Sequence, residues 1–198
     1  MADTDNAPNL DPDFILDAYR KGFFPMADPG NGEVSWYSPN PRAIIPLDAF
    51  RTSRSLRRVV QRQGFLIRVN TSFEDVIRGC ATREETWISG RIIASYLSLH
   101  RKGFAHSVES WWGEELAGGL YGVSIGGAFF GESMFSVMKD ASKVALVHLV
   151  DLLRRRGFTL LDTQFINTHV RQFGATEVPR LIYMRLLEKA LARECRFP

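Results

Sequence analysis

Phe129-Phe-Gly-Glu-Ser-Met-Phe-Ser136, followed one helix-length later by Thr159-Leu-Leu-Asp-Thr-Gln-Phe165, decides how this chain folds. The first stretch is a short apolar run that sets one carboxylate, Glu132, among Phe129, Phe130, Met134 and Phe135. The second has strand character and carries Asp162 and Gln164. Residues two apart in a strand share a face, so the acid and the amide are expected side by side. Between the two lies a helix. Asp140 or Ser142 is placed to cap its start, and Val144, Val147, Leu149, Val150, Leu152 and Leu153 supply its apolar side. Arg154 to Arg156 complement its negative end before Gly157 stops it. Strand, helix, strand is the βαβ unit, which makes two parallel neighbours. Glu132, Asp162 and Gln164 are thereby expected to converge on one cleft.

Upstream, Ala105 to Trp111, Glu115 to Tyr121 and Ala128 to Met134 read as strands separated by the turns Trp112-Gly-Glu114 and Ile125-Gly-Gly127. Three such strands form an antiparallel meander. Meander, helix, strand is also the order of an acyl-CoA N-acetyltransferase core. Those enzymes hold the pyrophosphate on a glycine-rich loop, whereas Ser136-Val-Met-Lys-Asp-Ala-Ser142 has no glycine.

The first third of the chain is more broken. Residues 1 to 9 are polar and expected to be mobile. Asp11-Pro12 opens a helix with Phe14, Ile15, Ala18 and Tyr19 on its apolar side, and Gly22 ends it. Phe23 to Arg42 reads as turns with at most a short strand, and a domain boundary is set near Asn40. A helix over 51–63 turns Leu56, Val59 and Val60 inward, and a strand follows at Phe65 to Val69. Ser72 and Asp75 form a capping-box pattern for the next helix. Another helix covers Ile92 to His100, stopped by Gly103.

One further set of motifs runs through the chain in order. Lys21-Gly-Phe-Phe-Pro25, Trp36-Tyr-Ser-Pro-Asn-Pro-Arg42, Thr86-Trp-Ile88, Ala105-His-Ser-Val-Glu109, Gly119-Leu-Tyr-Gly-Val123, Gly131-Glu-Ser-Met-Phe-Ser136, Ala141-Ser-Lys143 and Leu161-Asp-Thr-Gln164 together resemble the leucyl/phenylalanyl-tRNA–protein transferases. The resemblance implies an α/β (α+β) protein. An N-acyltransferase-like domain (GNAT/Fem-like) over 41–198 would follow a small N-terminal domain over 1–40. It implies an enzyme without cofactor or metal, a monomer. The enzyme would move leucine or phenylalanine, or methionine, from aminoacyl-tRNA to the N-terminal Arg or Lys of an acceptor protein, marking it for N-degron degradation. On this resemblance Asp162, Gln164 and Glu132 are catalytic. Trp87, Leu120, Phe129, Ser133, Met134 and Met26 bind the aminoacyl-adenosine. Met26 stands where many family members have tryptophan.

The residues themselves set limits on that reading. Glu132 among apolar neighbours calls for a partner, and a substrate ammonium is the natural one. An incoming α-amine must be oriented, lose a proton and meet a stabilised oxyanion; Asp162 and Gln164 are suited to either side of that task. Arg51, Arg54, Arg58 and Arg62 form one stripe, with Arg57 at its margin and no acid between 51 and 62. Such a stripe suits phosphates, here the tRNA backbone. Asp3, Asp5, Asp11, Asp13 and Asp17 precede the first basic residue. The remainder has 25 basic against 17 acidic residues, a balance of +8. His106 and Glu109 are assigned structural roles.

Cys80 and Cys195 suggest no disulfide framework, and the four histidines show no metal-ligand spacing. With no signal-peptide pattern and no membrane-length apolar run, a reduced cytoplasm is the expected setting. Two rivals remain open at this level: an acyl-CoA-dependent N-acetyltransferase, and a tRNA-binding protein without catalysis.

Overall fold

The computed structural model describes residues 10–82 and 86–198. The polar residues 1–9, with Asp3 and Asp5, lie outside the described residues. The elements run α1 (Pro12–Arg20), β1 (Phe24–Ala27), β2 (Val34–Tyr37), β3 (Arg42–Ile44), α2 (Arg54–Gln61), β4 (Leu66–Val69), α3 (Phe73–Cys80) and α4 (Gly90–Arg101). There follow β5 (Ala105–Trp112), β6 (Glu115–Ile125), β7 (Ala128–Ser136), α5 (Ala141–Arg155), β8 (Leu160–Gln164), α6 (Thr168–Arg171), β9 (Thr176–Val178) and α7 (Arg180–Leu191).

The protein is a mixed α/β structure. One seven-stranded sheet has the order β4-β5-β6-β7-β8-β3-β9, and β1 and β2 form a separate hairpin. β4 to β7 are antiparallel and β7 to β8 is parallel, as the meander and βαβ readings expected. β3 and β9 complete the far edge, both antiparallel to their neighbours. Each has three residues, too short for a period-2 pattern to register. The stretch read as turns, Phe23 to Arg42, thus contains the two strands of the hairpin, and β3 begins at its last residue. Among the described residues no helix is long and apolar enough to cross a membrane.

Two apolar layers cover the sheet. On one face α1, α3, α4 and α7 pack with Tyr121, Val123 and Phe130. On the other, α5 lies on the strands with Val144, Leu149, Val150 and Leu153 buried, and α2 adds Leu56. Each such side chain contributes about 1.5–3 kcal/mol relative to exposure.

Several caps differ from the sequence reading. At α1 the Asp11 side chain accepts from Asp13 N at 2.8 Å, as expected. At α5 Asp140 stands at the N-cap position, as read, but its side chain makes no cap hydrogen bond; Ser136 Oγ accepts from Ser142 N at 2.9 Å. At α3 the Ser72 hydroxyl donates to Asp75 instead of accepting from it. The cap is Glu109, fully buried, which accepts from Thr71 N and Ser72 N at 2.9 Å each and from Ser107 Oγ at 2.7 Å. A buried carboxylate is tolerated there because several donors and the helix N-terminus share its charge. α2 begins three residues later than expected because Ser53 is its cap, accepting from Leu56 N at 3.1 Å.

Candidate active site

β7 and β8 pair only over Ala128–Phe130 and Leu160–Asp162. Beyond that the strands part. A bulge opens them: Tyr121 pairs with Ser133 and Gly122 with Gly131, so Glu132 is the extra residue. A bulge bends its strand and re-aims a side chain. Gly122 permits the close approach, because a Cβ there would stand 2.3 Å from the Phe130 carbonyl oxygen. The gap is a cavity of about 720 Å³ running between the strands from one sheet face to the other. Phe24, Met26, Trp87 and Phe135 line the end in the α1 layer, and Leu120, Met134, Leu146 and Val170 line the end in the α5 layer. Its waist is polar, with Glu132, Ser133, Thr163 and Gln164.

Glu132 is half-buried and faces neutral donors. Tyr19 Oη donates to its Oε1 at 2.7 Å, Tyr96 Oη to its Oε2 at 3.3 Å, and Gln164 Nε2 to its Oε1 at 3.2 Å. The two tyrosine hydroxyls also touch each other at 2.5 Å. Burial pushes the Glu132 carboxyl up to about 8; the hydrogen bond from Tyr19 opposes this, and the nearby Asp162 charge adds to it. Both tyrosines are held well above their ordinary range, first by burial and then by the Glu132 charge, so they remain hydroxyl donors.

Asp162 sits differently. It is fully buried and does not reach the cavity wall. Arg42 Nε donates to both carboxylate oxygens at 3.0 and 3.1 Å, and Arg42 Nη2 donates to Oδ2 at 2.7 Å. Tyr183 Oη donates to Oδ2 at 2.7 Å. The remaining bond comes from Gln164 N to Oδ1 at 2.9 Å. That contact clamps Gln164 at φ 57°, a left-handed conformation that turns its side chain from the strand toward Glu132. Arg42 itself lies between the rings of Phe24 and Tyr183, 4.7 Å from each centroid. Burial is the largest influence and opposes its charge, but Asp162, Tyr183 and Glu132 together outweigh it and hold the guanidinium above its ordinary range.

The cavity therefore gathers Glu132 and Gln164 with Trp87, Leu120, Ser133, Met134 and Met26 from the sequence reading. Phe129 does not join them. It is wholly buried in the α5 layer, stacked on Phe197 at 5.2 Å. Of the basic stripe, Arg54 and Arg58 lie on α2 and Arg62 caps its end, all exposed. Arg51 precedes the helix cap, its N donating to Phe173 O, and Arg57 folds back onto Thr52 O at 3.2 Å. The sequence reading missed Tyr19, Arg42, Tyr96 and Tyr183. The available signal was chemical: tyrosine instead of phenylalanine on a buried helix face leaves a hydroxyl that needs a partner.

The structure is mixed α/β, its sheet parted by a cavity with apolar ends, with a carboxyl and an amide at its waist. The comparisons give its class, a transferase. Residues 44–188 match the family model described as leucyl/phenylalanyl-tRNA protein transferase, and residues 8–40 match that of its N-terminal domain. The chain belongs to the leucyl/phenylalanyl-tRNA–protein transferase family. A transferase of that name from Chlorobaculum parvum is 59% identical over 187 residues, covering 92% of this chain and 96% of its own. One from Gloeobacter violaceus is 55% identical over 188 residues, covering 95% and 97%. Among solved structures, the L-PGS of Bacillus licheniformis aligns with a TM-score of 0.47 and 13% identity, over 92% of this chain and 71% of that one.

Proposed function

We propose that the chain transfers leucine or phenylalanine, or methionine, from aminoacyl-tRNA to the N-terminal residue of an acceptor protein. The observation that carries this reading is Glu132: a carboxyl in an apolar cleft, hydrogen-bonded to two phenols and an amide. A substrate ammonium completes it. The family match supplies the donor and the acceptor class.

In the reaction the acceptor amine attacks the ester carbonyl carbon. The new C–N bond replaces the C–O bond to the terminal ribose, and the ribose oxygen leaves with a proton that originates on the amine. Glu132 holds the donor ammonium, and Gln164 orients the attacking amine or donates to the developing oxyanion. Asp162 is a positioning residue, acting through the Gln164 N–H. Leu120, Met134, Leu146 and Val170 receive the donor side chain, while Trp87 and Met26 face the terminal adenosine. Phosphates of the tRNA backbone lie on Arg54, Arg58 and Arg62. We divide the chain into a small N-terminal domain, 1–40, and an N-acyltransferase-like domain, 41–198. The separate β1–β2 hairpin and the two adjoining family matches support that division. Charged tRNA as donor sets the reaction in the cytoplasm, and the chain acts as a monomer.

The test is incubation with radiolabelled leucyl-tRNA and peptides beginning with Arg, Lys, Asp or Glu. Label on the Arg and Lys peptides is the expected result. Label on no peptide, with tRNA still bound, would leave only a binding protein; acetylation by acetyl-CoA in its place would restore the rival enzyme.

A further inference from the structure

An aromatic platform with unpaired cations adjoins the α1-layer mouth of the cavity. Phe23, Tyr37 and Phe165 are 36%, 42% and 46% exposed among the described residues, high values for large rings. Tyr37 and Phe165 are organised around one buried ring. Phe24 sits 6.2 Å from Tyr37 and 5.8 Å from Phe165, and both Phe24 and Phe165 line the cavity. The Arg180 guanidinium covers Phe23 at 5.5 Å and donates to Ser38 Oγ. Lys21 precedes Phe23 by two residues and is exposed. Neither Lys21 nor Arg180 forms an ion pair with an acid among the described residues.

We propose that this platform binds the single-stranded nucleotides immediately preceding the terminal adenosine of the donor, by stacking on Tyr37 and Phe165 and by phosphate contact with Arg180 and Lys21. The inference rests on the reading of aminoacyl-tRNA as donor. Exposed rings beside unpaired cations are the composition that holds a single strand without reading its sequence. The charge decides against the other occupant, since two cations without an acid partner among the described residues repel an acceptor with a basic N-terminal residue. Position agrees: the platform and the cavity share Phe24 and Phe165, so a strand whose last nucleotide enters this mouth crosses the platform.

The experiment compares leucyl esters of adenosine and of the CCA trinucleotide, with an Arg-initiated peptide, in the wild type and in Tyr37→Ser and Arg180→Gln. In the wild type kcat/KM for the trinucleotide should exceed that for adenosine by about tenfold, the size expected of one stacked base. Both variants should bring that ratio toward one through KM. Binding of uncharged CCA, followed by fluorescence anisotropy, reads the platform independently of transfer. It should weaken in both variants. If no donor supports transfer while the variants still weaken CCA binding, the platform stands and the reaction reading fails. A wild-type ratio of one, or CCA binding unchanged in both variants, overturns the platform. A raised KM for the acceptor peptide at an unchanged donor ratio assigns the surface to the acceptor instead.

Discussion

Each of the two parted strands carries one acid beside the cleft, and the two acids have opposite fates. Asp162 on β8 is saturated by Arg42, Tyr183 and the Gln164 N–H. Glu132 on β7 is held by two phenols and an amide. The first has its charge neutralised within the fold and serves to shape the backbone. The second keeps an unmet demand for a cation, and its proton affinity rises as a result. The residue type is a carboxylate in both cases; the nearest donor's charge assigns the role.

The most forceful way to break this contrast is to remove Asp162. Asp162→Ala leaves the buried Arg42 cation uncompensated and should cost about 3–5 kcal/mol. Thermal unfolding should show a loss of roughly 6–20 °C for a chain of this size. Glu132→Ala, measured alongside, should lose far less. Equal losses would mean that both acids are structural.

Activity should order the residues the other way. Gln164→Ala keeps the fold and should lower kcat by roughly 100- to 1,000-fold, as the loss of one preorganised polar group in a transition state does. Its tRNA affinity should stay within about twofold of wild type, because the side chain faces the reacting centre. Near-normal turnover in single-turnover assays would remove Gln164 from the chemistry.

The proton on Glu132 sharpens the comparison further. Its folded value of about 8 lies above the ordinary 4.5. Between those values the folded chain holds a proton that the unfolded chain has lost. The stability from this site is therefore complete below about pH 4.5 and is lost as pH rises through about 8. Glu132→Gln cannot show that fall. The difference in Tm, variant minus wild type, should grow more positive from pH 5 to pH 8.5, by about 2–4 °C for each kcal/mol. A difference independent of pH would place Glu132 among ordinary ionised carboxylates.

The smallest effect concerns the exposed end of the molecule. Replacing Arg54, Arg58 and Arg62 by alanine should make the log–log salt dependence of tRNA binding shallower, by roughly 0.7–0.9 for each phosphate no longer neutralised. Transfer from leucyl-adenosine should hardly change. An unaltered slope would reduce the stripe to a solvated face.

The contrast also marks how far the sequence could be read. The parallel pair β7–β8, the meander and α5 follow from periodicity and turn residues within short reach along the chain. The closeness of Glu132 and Gln164 follows from that unit. What escapes is non-local. Arg42 meets Asp162 across 120 positions, and Tyr19 meets Glu132 across 113. No pattern along the chain encodes such pairs. The stripe departs from the sequence reading at Arg51 for a local reason, since Ser53 outcompetes it as the helix start. Phe129 keeps company with the site residues in sequence, yet alternation sends it to the opposite face from Glu132, into the α5 layer.

The bulge at Glu132 is also a change of parity. In the first part of β7, Phe129 faces the α5 layer and Phe130 the α1 layer. Past the extra residue the assignment is exchanged: even-numbered Met134 joins the α5 layer and odd-numbered Phe135 the α1 layer. Deleting one residue here would trade the faces of everything that follows in the strand, bringing Met134 to the aromatic end and Phe135 to the end lined by Leu120, Leu146 and Val170. A strand whose odd–even pattern changes hands partway along announces a bulge, and in this chain the residue at the change of hands is the carboxyl held by two phenols and an amide.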